Sequence, residues 1–176
     1  SYNSYNFDLD NGYGRGWSSA YNISYSIDTN AARVIVWGDG REDIYDSLSS
    51  NKYKTPRGFF TKLEEYQPQK YKLTEPDGTM YFFDNASHKK ITRMEEPNGN
   101  FIDFIYTNKF LANLQNQDGQ GVGFSYTNNR VSRISDFNAI PAREYNYVYD
   151  AVGNLIEAID PLGKKFTYTY LVNGPM

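Results

Sequence analysis

The segment Tyr149-Asp150-Ala151-Val152-Gly153-Asn154-Leu155-Ile156-Glu157-Ala158-Ile159-Asp160-Pro161-Leu162-Gly163-Lys164-Lys165-Phe166-Thr167-Tyr168-Thr169-Tyr170 decides the reading of this chain. It spells strand, tight turn, strand, tight turn, strand. Asp150 to Asn154 and Asp160-Pro161-Leu162-Gly163 are the turns. Phe166, Tyr168 and Tyr170 alternate with Thr167 and Thr169, as a pleated strand requires. Weaker copies recur upstream. Asp77-Gly78 leads into Tyr81 and Phe83, Asn98-Gly99 into Phe101, Phe104 and Tyr106, and Asp118-Gly119 into Phe124 and Tyr126. Gly78, Gly99 and Gly119 follow one another at about 20 residues, and Gly163 comes about two periods later. Phe137-Asn138-Ala139-Ile140-Pro141 stands where the intervening turn is due and leads into Tyr145, Tyr147 and Tyr149. Asp39-Gly40, followed by Tyr45, lies about two periods before Gly78. A period of this length marks stacked β structure.

The unit has a simple physical basis. Asp-Gly and Asn-Gly supply the positive φ that a two-residue hairpin turn needs. Glu75-Pro76, Glu96-Pro97 and Asp160-Pro161 bias the residue before each proline to extended geometry. Leu111/Leu114, Val131/Ile134 and Leu155/Ile159 supply aliphatic residues between the aromatic strands. Their spacing also suits a helix, but the segments are short and bounded by turn residues on both sides, which predicts strands.

Composition agrees with an all-β chain of one domain, or one segment of a larger protein. Aromatic residues make up 17% of the 176 residues, with 17 Tyr and 11 Phe, types suited to a half-buried pleated surface. Mean hydropathy is −0.71, so aliphatic residues are sparse. Burial therefore rests on Tyr and Phe, and a thin sheet with one packed face is expected rather than a thick sandwich. The net charge of −3 and the absence of any basic run longer than two residues argue against a nucleic-acid binder or an anionic-membrane binder. No apolar run is long enough to span a bilayer. With no cysteine, disulfides and thiol chemistry are excluded. The chain begins without Met, which reads as a piece of a longer protein.

Residues 1–70 read as a lead-in region, 71–170 as the hairpin repeats and 171–176 as a tail. Within the lead-in, Tyr21 to Ile27 alternates as a strand. Arg33 to Trp37 and Glu42 to Tyr45 flank Asp39-Gly40 as a hairpin, residues 46–58 read as a loop, and Phe59 to Tyr66 as a strand ended by Gln67-Pro68.

Tyr149-Asp150, Gly153-Asn154-Leu155 and Asp160-Pro161-Leu162-Gly163 together closely resemble the signature of the Rhs/YD-repeat family: Tyr-Asp, two residues, Gly, a polar residue, Leu, then Asp-Pro-x-Gly. Other copies depart from it, with Tyr106-Thr107 and Tyr126-Thr127 in place of Tyr-Asp, and Phe83-Asp84 keeping only the acid. Gly12-Tyr13-Gly14-Arg15-Gly16-Trp17-Ser18, followed by Asp39-Gly40-Arg41, is similar to the opening that precedes the repeats in that family. The resemblance covers most of the chain, most strongly from about residue 71. It implies a spiral sheet of β-hairpins forming part of a hollow shell. In bacterial members the shell is secreted or displayed on the surface and encloses a C-terminal toxin, and in animal teneurins a related barrel serves adhesion. The resemblance thus implies partners in the rest of the shell and in a C-terminal cargo, with no catalysis and no cofactor in this segment. The family's self-cleaving module has no counterpart here.

Reactive groups are few. Gly12 to Gly16 and Gly119-Gln120-Gly121-Val122-Gly123 lack the spacing and strand-to-helix context of a phosphate loop. Asp39, Asp77, Asp118 and Asp160 stand one per turn, too far apart for calcium, and are explained as turn residues. Glu64-Glu65 and Glu95-Glu96 are adjacent and so point to opposite faces of a strand. His88, the single histidine, sits in a polar turn and is expected to be solvated. The residues singled out are therefore the bend-forming ones: Gly16, Trp17, Asp39, Gly40, Asp77, Gly78, Asn98, Gly99, Asp118, Gly119, Tyr149, Asp150, Gly153, Asp160, Pro161 and Gly163. A second reading takes Tyr106, Tyr126, Tyr147 and Tyr168 as an aromatic face that binds a cell-surface glycan or protein. Cross-strand packing of the same tyrosines is the competing explanation. Unpaired strand edges of an isolated segment are expected to favour self-association.

Overall fold

The computed structural model describes residues 1–4, 7–8, 10–49 and 51–170; the expected tail, 171–176, lies outside the described residues. The chain is all-β. Among the described residues fifteen strands form one sheet in which each strand pairs antiparallel with the next in sequence. They are β1 Ser24–Ile27, β2 Arg33–Val36, β3 Glu42–Ser49, β4 Lys52–Lys54, β5 Lys62–Gln67, β6 Lys70–Thr74, β7 Met80–Phe83 and β8 Arg93–Glu95, then β9 Phe101–Thr107, β10 Phe110–Asn116, β11 Gly121–Thr127, β12 Arg130–Asp136, β13 Arg143–Tyr149, β14 Leu155–Ile159 and β15 Lys165–Thr167.

Because successive strands reverse direction, their turns fall in two rows. One row holds Glu75–Thr79, Glu96–Asn100, Asn116–Gln120 and Asp160–Lys164. In each, the amide of the first residue donates to the carbonyl of the fifth, and the glycine at the fourth donates back to the first. Gly78, Gly99, Gly119 and Gly163 have φ of +91°, +88°, +77° and +80°. These are three-residue loops closed by a left-handed glycine, not the two-residue turns the dipeptides suggest. Two-residue turns occur in the opposite row and use asparagine: Asn108-Lys109 links paired Thr107 and Phe110, and Asn128-Asn129 links Thr127 and Arg130. Asn108, Asn128 and Asn129 have positive φ, which asparagine tolerates better than most residues.

Side chains close these loops. The Asp77 carboxylate accepts the Thr79 amide, Asn98 that of Asn100, and Asp160 those of Leu162 and Lys164. In the third loop Asp118 lies in the turn before Gly119, and the acceptor is Asn116, which takes the amides of Asp118 and Gln120. Asp150, in the second row, accepts the amides of Val152 and Asn154 and the Asn154 side-chain amide. Burial works against its charge, but the hydrogen bonds from Asn154, Gly153 and Val152 outweigh it and hold the carboxyl below its usual pKa. A depressed folded pKa contributes stability that is complete above the unfolded value, near pH 4, and is lost as pH falls through the folded value. Asp150→Asn should therefore lower the melting temperature at pH 7, and its difference from wild type should narrow below about pH 4. A difference independent of pH would refute the role given to the ionised carboxylate.

The core centres on the first half and continues through Phe104, Leu111 and Leu114. Tyr25, Ile35, Tyr45, Leu63, Tyr71, Leu73, Phe83 and Ile91 are buried together. The sheet doubles back to make this core: the Tyr25 ring packs 4.8 Å from Tyr71 and 5.9 Å from Phe83, and Trp37 packs 5.3 Å from Tyr81. The Tyr25 amide donates to the Lys89 carbonyl and that of Ile91 to Ile23, so the outer edge of β1 meets residues 89–91. Around the core, the expected single packed face is thus covered by the chain's own first strands. Tyr45 shares a 2.6 Å hydrogen bond with Thr61, and its burial pushes its pKa up to about 12.

Strand limits differ from expectation at several places, and the last strand ends at Thr167, short of the expected Tyr170. The first strand starts at Ser24, not Tyr21. Residues 46–49 and 52–54 are not loop: β3 runs to Ser49 and pairs with β4, with Asp46 opposite Lys54 and Ser47 opposite Tyr53. The polar run hides this hairpin, since Leu48 is exposed and only Tyr53 turns partly inward. The strand expected over Phe59 to Tyr66 starts at Lys62, leaving Phe60 84% exposed in the preceding loop.

Candidate functional site

The seams between neighbouring hairpins are only half zipped. Between β10 and β11 the ladder covers Asn113–Gln115 and Gly121–Gly123; between β12 and β13 it covers Arg133–Asp136 and Arg143–Asn146. Toward the asparagine-turn row the strands splay. A tyrosine fills each gap: the Tyr126 hydroxyl donates to the Leu111 carbonyl at 2.9 Å, Tyr149 to Val131 at 2.8 Å and Tyr170 to Leu155 at 2.7 Å. Burial raises the pKa of Tyr126, Tyr149 and Tyr170, keeping each hydroxyl a donor. The Tyr-Asp pair at 149–150 thereby has a division of labour, with Tyr149 locking the seam behind it and Asp150 folding the turn ahead. Tyr149→Phe should cost about 1 kcal/mol in urea unfolding, the net worth of one hydrogen bond. Tyr106→Phe should cost nothing measurable, because the Tyr106 hydroxyl bonds to no described residue. Equal losses would refute the seam assignment.

The glycine-rich N-terminal segment runs across these splayed ends as a strap. The Val131 amide donates to the Gly12 carbonyl, and the Arg15 amide to Gly153. Asp10 pairs with Arg130 at 2.6 Å, and the Trp17 indole donates to the Tyr170 hydroxyl at 2.8 Å while packing 4.9 Å from Tyr168. Glycine is required where the strap passes closest: a Cβ on Gly14, at φ +96°, would meet the Leu155 amide at 3.2 Å, and one on Gly16 would meet the Asn3 carbonyl at 3.0 Å. Gly14 and Trp17 are therefore contact points between the lead-in and the last strands, whereas Gly16 packs within the lead-in against Tyr2 and Asn3. Nothing in their sequence separation signals this.

Beneath the strap lies a cleft of about 780 Å³, bordered by the β2–β3 turn and the tips of the β9–β10 and β11–β12 hairpins. Tyr106 and Tyr126 line it with Tyr13, Trp17, Tyr21 and Trp37. Asp39 and Glu42 stand on the turn side, and Lys90 and Lys109 are also in the lining.

The four tyrosines of the proposed aromatic face do not form an open row. Tyr106, Tyr126, Tyr147 and Tyr168 are all half-buried. Burial raises the pKa of Tyr106, Tyr126 and Tyr147, and the neighbouring Tyr13 of the strap adds to it. His88 is half-buried rather than solvated, its ring 6.1 Å from that of Tyr106. The paired glutamates separate: Glu64 meets Lys62 at 2.8 Å, whereas Glu65 accepts from Tyr53 and from the Gln69 amide. Among the described residues no group of three His, Cys, Asp or Glu side chains is placed to hold a metal ion. No helix is long and apolar enough to cross a membrane among the same residues. No protein-family model and no curated protein matches the chain.

Proposed function

We propose that this chain is a non-catalytic wall segment of a YD-repeat shell that encloses a C-terminal toxin or other cargo of a secreted or cell-surface bacterial protein. The observation that carries this reading is the repeated seam lock. Tyr126, Tyr149 and Tyr170 each spend their hydroxyl on the preceding strand, so the repeated aromatic position serves cohesion of a continuing sheet rather than an exposed reaction site. The strap supports it as well, since Asp10, Arg15 and Trp17 pin one end of the chain across later hairpins and stiffen the wall. Such a segment uses no cofactor, and its partners are the remainder of the shell and the cargo. Adhesion through an aromatic face has less support, because Tyr126 is hydrogen-bonded and Tyr168 lies against Trp17.

The test is the complete reading frame and its product. Further hairpins of about 20 residues should follow, then a non-repetitive domain. In limited proteolysis of the full-length protein that domain should resist cleavage while the shell is intact and be cut rapidly when expressed alone. A frame without more repeats, or equal cleavage in both settings, would overturn the reading.

A further inference from the structure

We propose that the cleft under the strap binds a saccharide carrying a single carboxylate. Lys90 and Lys109 supply the anion site. Lys90 is half-buried, and its ammonium lies 5.8 Å from the Tyr106 ring centre and donates to the Lys109 carbonyl at 3.3 Å. The Lys109 ammonium lies 5.2 Å from the Phe110 ring. Neither reaches a carboxylate within ion-pair distance among the described residues. Burial and the charge of Lys109 together lower the Lys90 pKa, so an incoming anion relieves a repulsion the fold leaves uncompensated.

The rest of the cleft suits a sugar ring. Tyr106 breaks the pattern of the other seam tyrosines: its hydroxyl bonds to no described residue, and the residue lines the cleft. Tyr21, 41% exposed, adds a second aromatic surface, and Asn128 adds an amide that can both donate and accept to hydroxyls. The volume of about 780 Å³ falls within the range of small-ligand sites. Charge selects among anions. The β2–β3 turn and the start of β3 place Asp39 and Glu42 on the same cleft, so a multiply charged phosphate ester meets more repulsion than a single carboxylate on a neutral, hydroxyl-rich body. This inference is independent of the shell reading, because it rests on cleft residues of this segment alone.

The test uses the 176-residue chain with sialyllactose, which bears one carboxylate, and with a glucuronosyl disaccharide, followed by saturation-transfer NMR and calorimetry. Lactose, sodium acetate and inorganic phosphate are the controls. At least one acidic saccharide should bind with lactose weaker by about tenfold or more, as expected on losing a charge-assisted contact. Lys90→Gln with Lys109→Gln should weaken it by about tenfold or more while leaving the melting temperature unchanged. Tyr106→Phe should retain the fold and weaken binding by a smaller factor. No binding of either acidic saccharide, equal binding of lactose, full retention by the double lysine variant, or equal competition by acetate or phosphate alone would each overturn the proposal.

Discussion

Phe83→Ala should destabilise the chain by about 3–5 kcal/mol, measured by urea unfolding. Phe83 is fully buried, pairs across the ladder with Tyr71 and touches Tyr25 of the returning first strand. Its ring therefore joins the two layers of the core as well as two neighbours in one sheet. Truncation leaves a cavity bounded by strands that cannot collapse inward without breaking the β1 contact with residues 89–91. The control is Phe60→Ala, which removes the same ring from an 84% exposed site and should change stability by less than about 0.5 kcal/mol. A small loss at Phe83 would mean that the first strands do not pack over β6 and β7 in solution.

Gly121→Ala should cost about 3 kcal/mol, and Gly163→Val only about 1 kcal/mol. The two glycines look alike as letters in turn-rich sequence. Their surroundings differ. A Cβ on Gly121 would sit 1.9 Å from the Leu114 carbonyl oxygen and 3.0 Å from the Gln115 Cα, both main chain, so the β10–β11 seam must open to admit it. A Cβ on Gly163 would meet nothing within 4 Å, and the penalty there is the strain of φ +80° alone. Thermal and urea unfolding of both variants give the ranking. The reverse order, or an unchanged melting temperature for Gly163→Val, would refute the assignment of these positions.

The legible part of this protein was the local part. Alternation in Phe101 to Tyr106, Phe124 to Tyr126 and Tyr145 to Tyr149 predicts strands that are present, because side-chain period and pleat are one property of the backbone. The glycines at 78, 99, 119 and 163 mark real bends with positive φ, since few other residues enter that region without strain. What pattern misassigned were details decided by neighbours. Asn116 closes the third loop as acceptor because the carboxamide at the first loop position faces two amides, a role the dipeptide Asp118-Gly119 does not reveal. The pairing of residues 46–49 with 52–54 is made by backbone in a polar stretch with no hydrophobic alternation to betray it. The cleft was less legible still. It depends on Lys90 and Lys109 standing side by side at the ends of different hairpins, and on Tyr106 lacking the carbonyl that its counterparts bind.

Sequence alone determined that this chain is a meander of antiparallel hairpins with a period of about 20 residues, because turn chemistry and strand alternation act between residues close along the chain. Only the tertiary structure decided that the first strands fold back to build the core, that residues 10–17 strap the last hairpins, and that a polar cleft remains between them. Those outcomes rest on contacts such as Tyr25 with Phe83, Asp10 with Arg130 and Trp17 with Tyr170, which join residues far apart in sequence and follow no local periodicity.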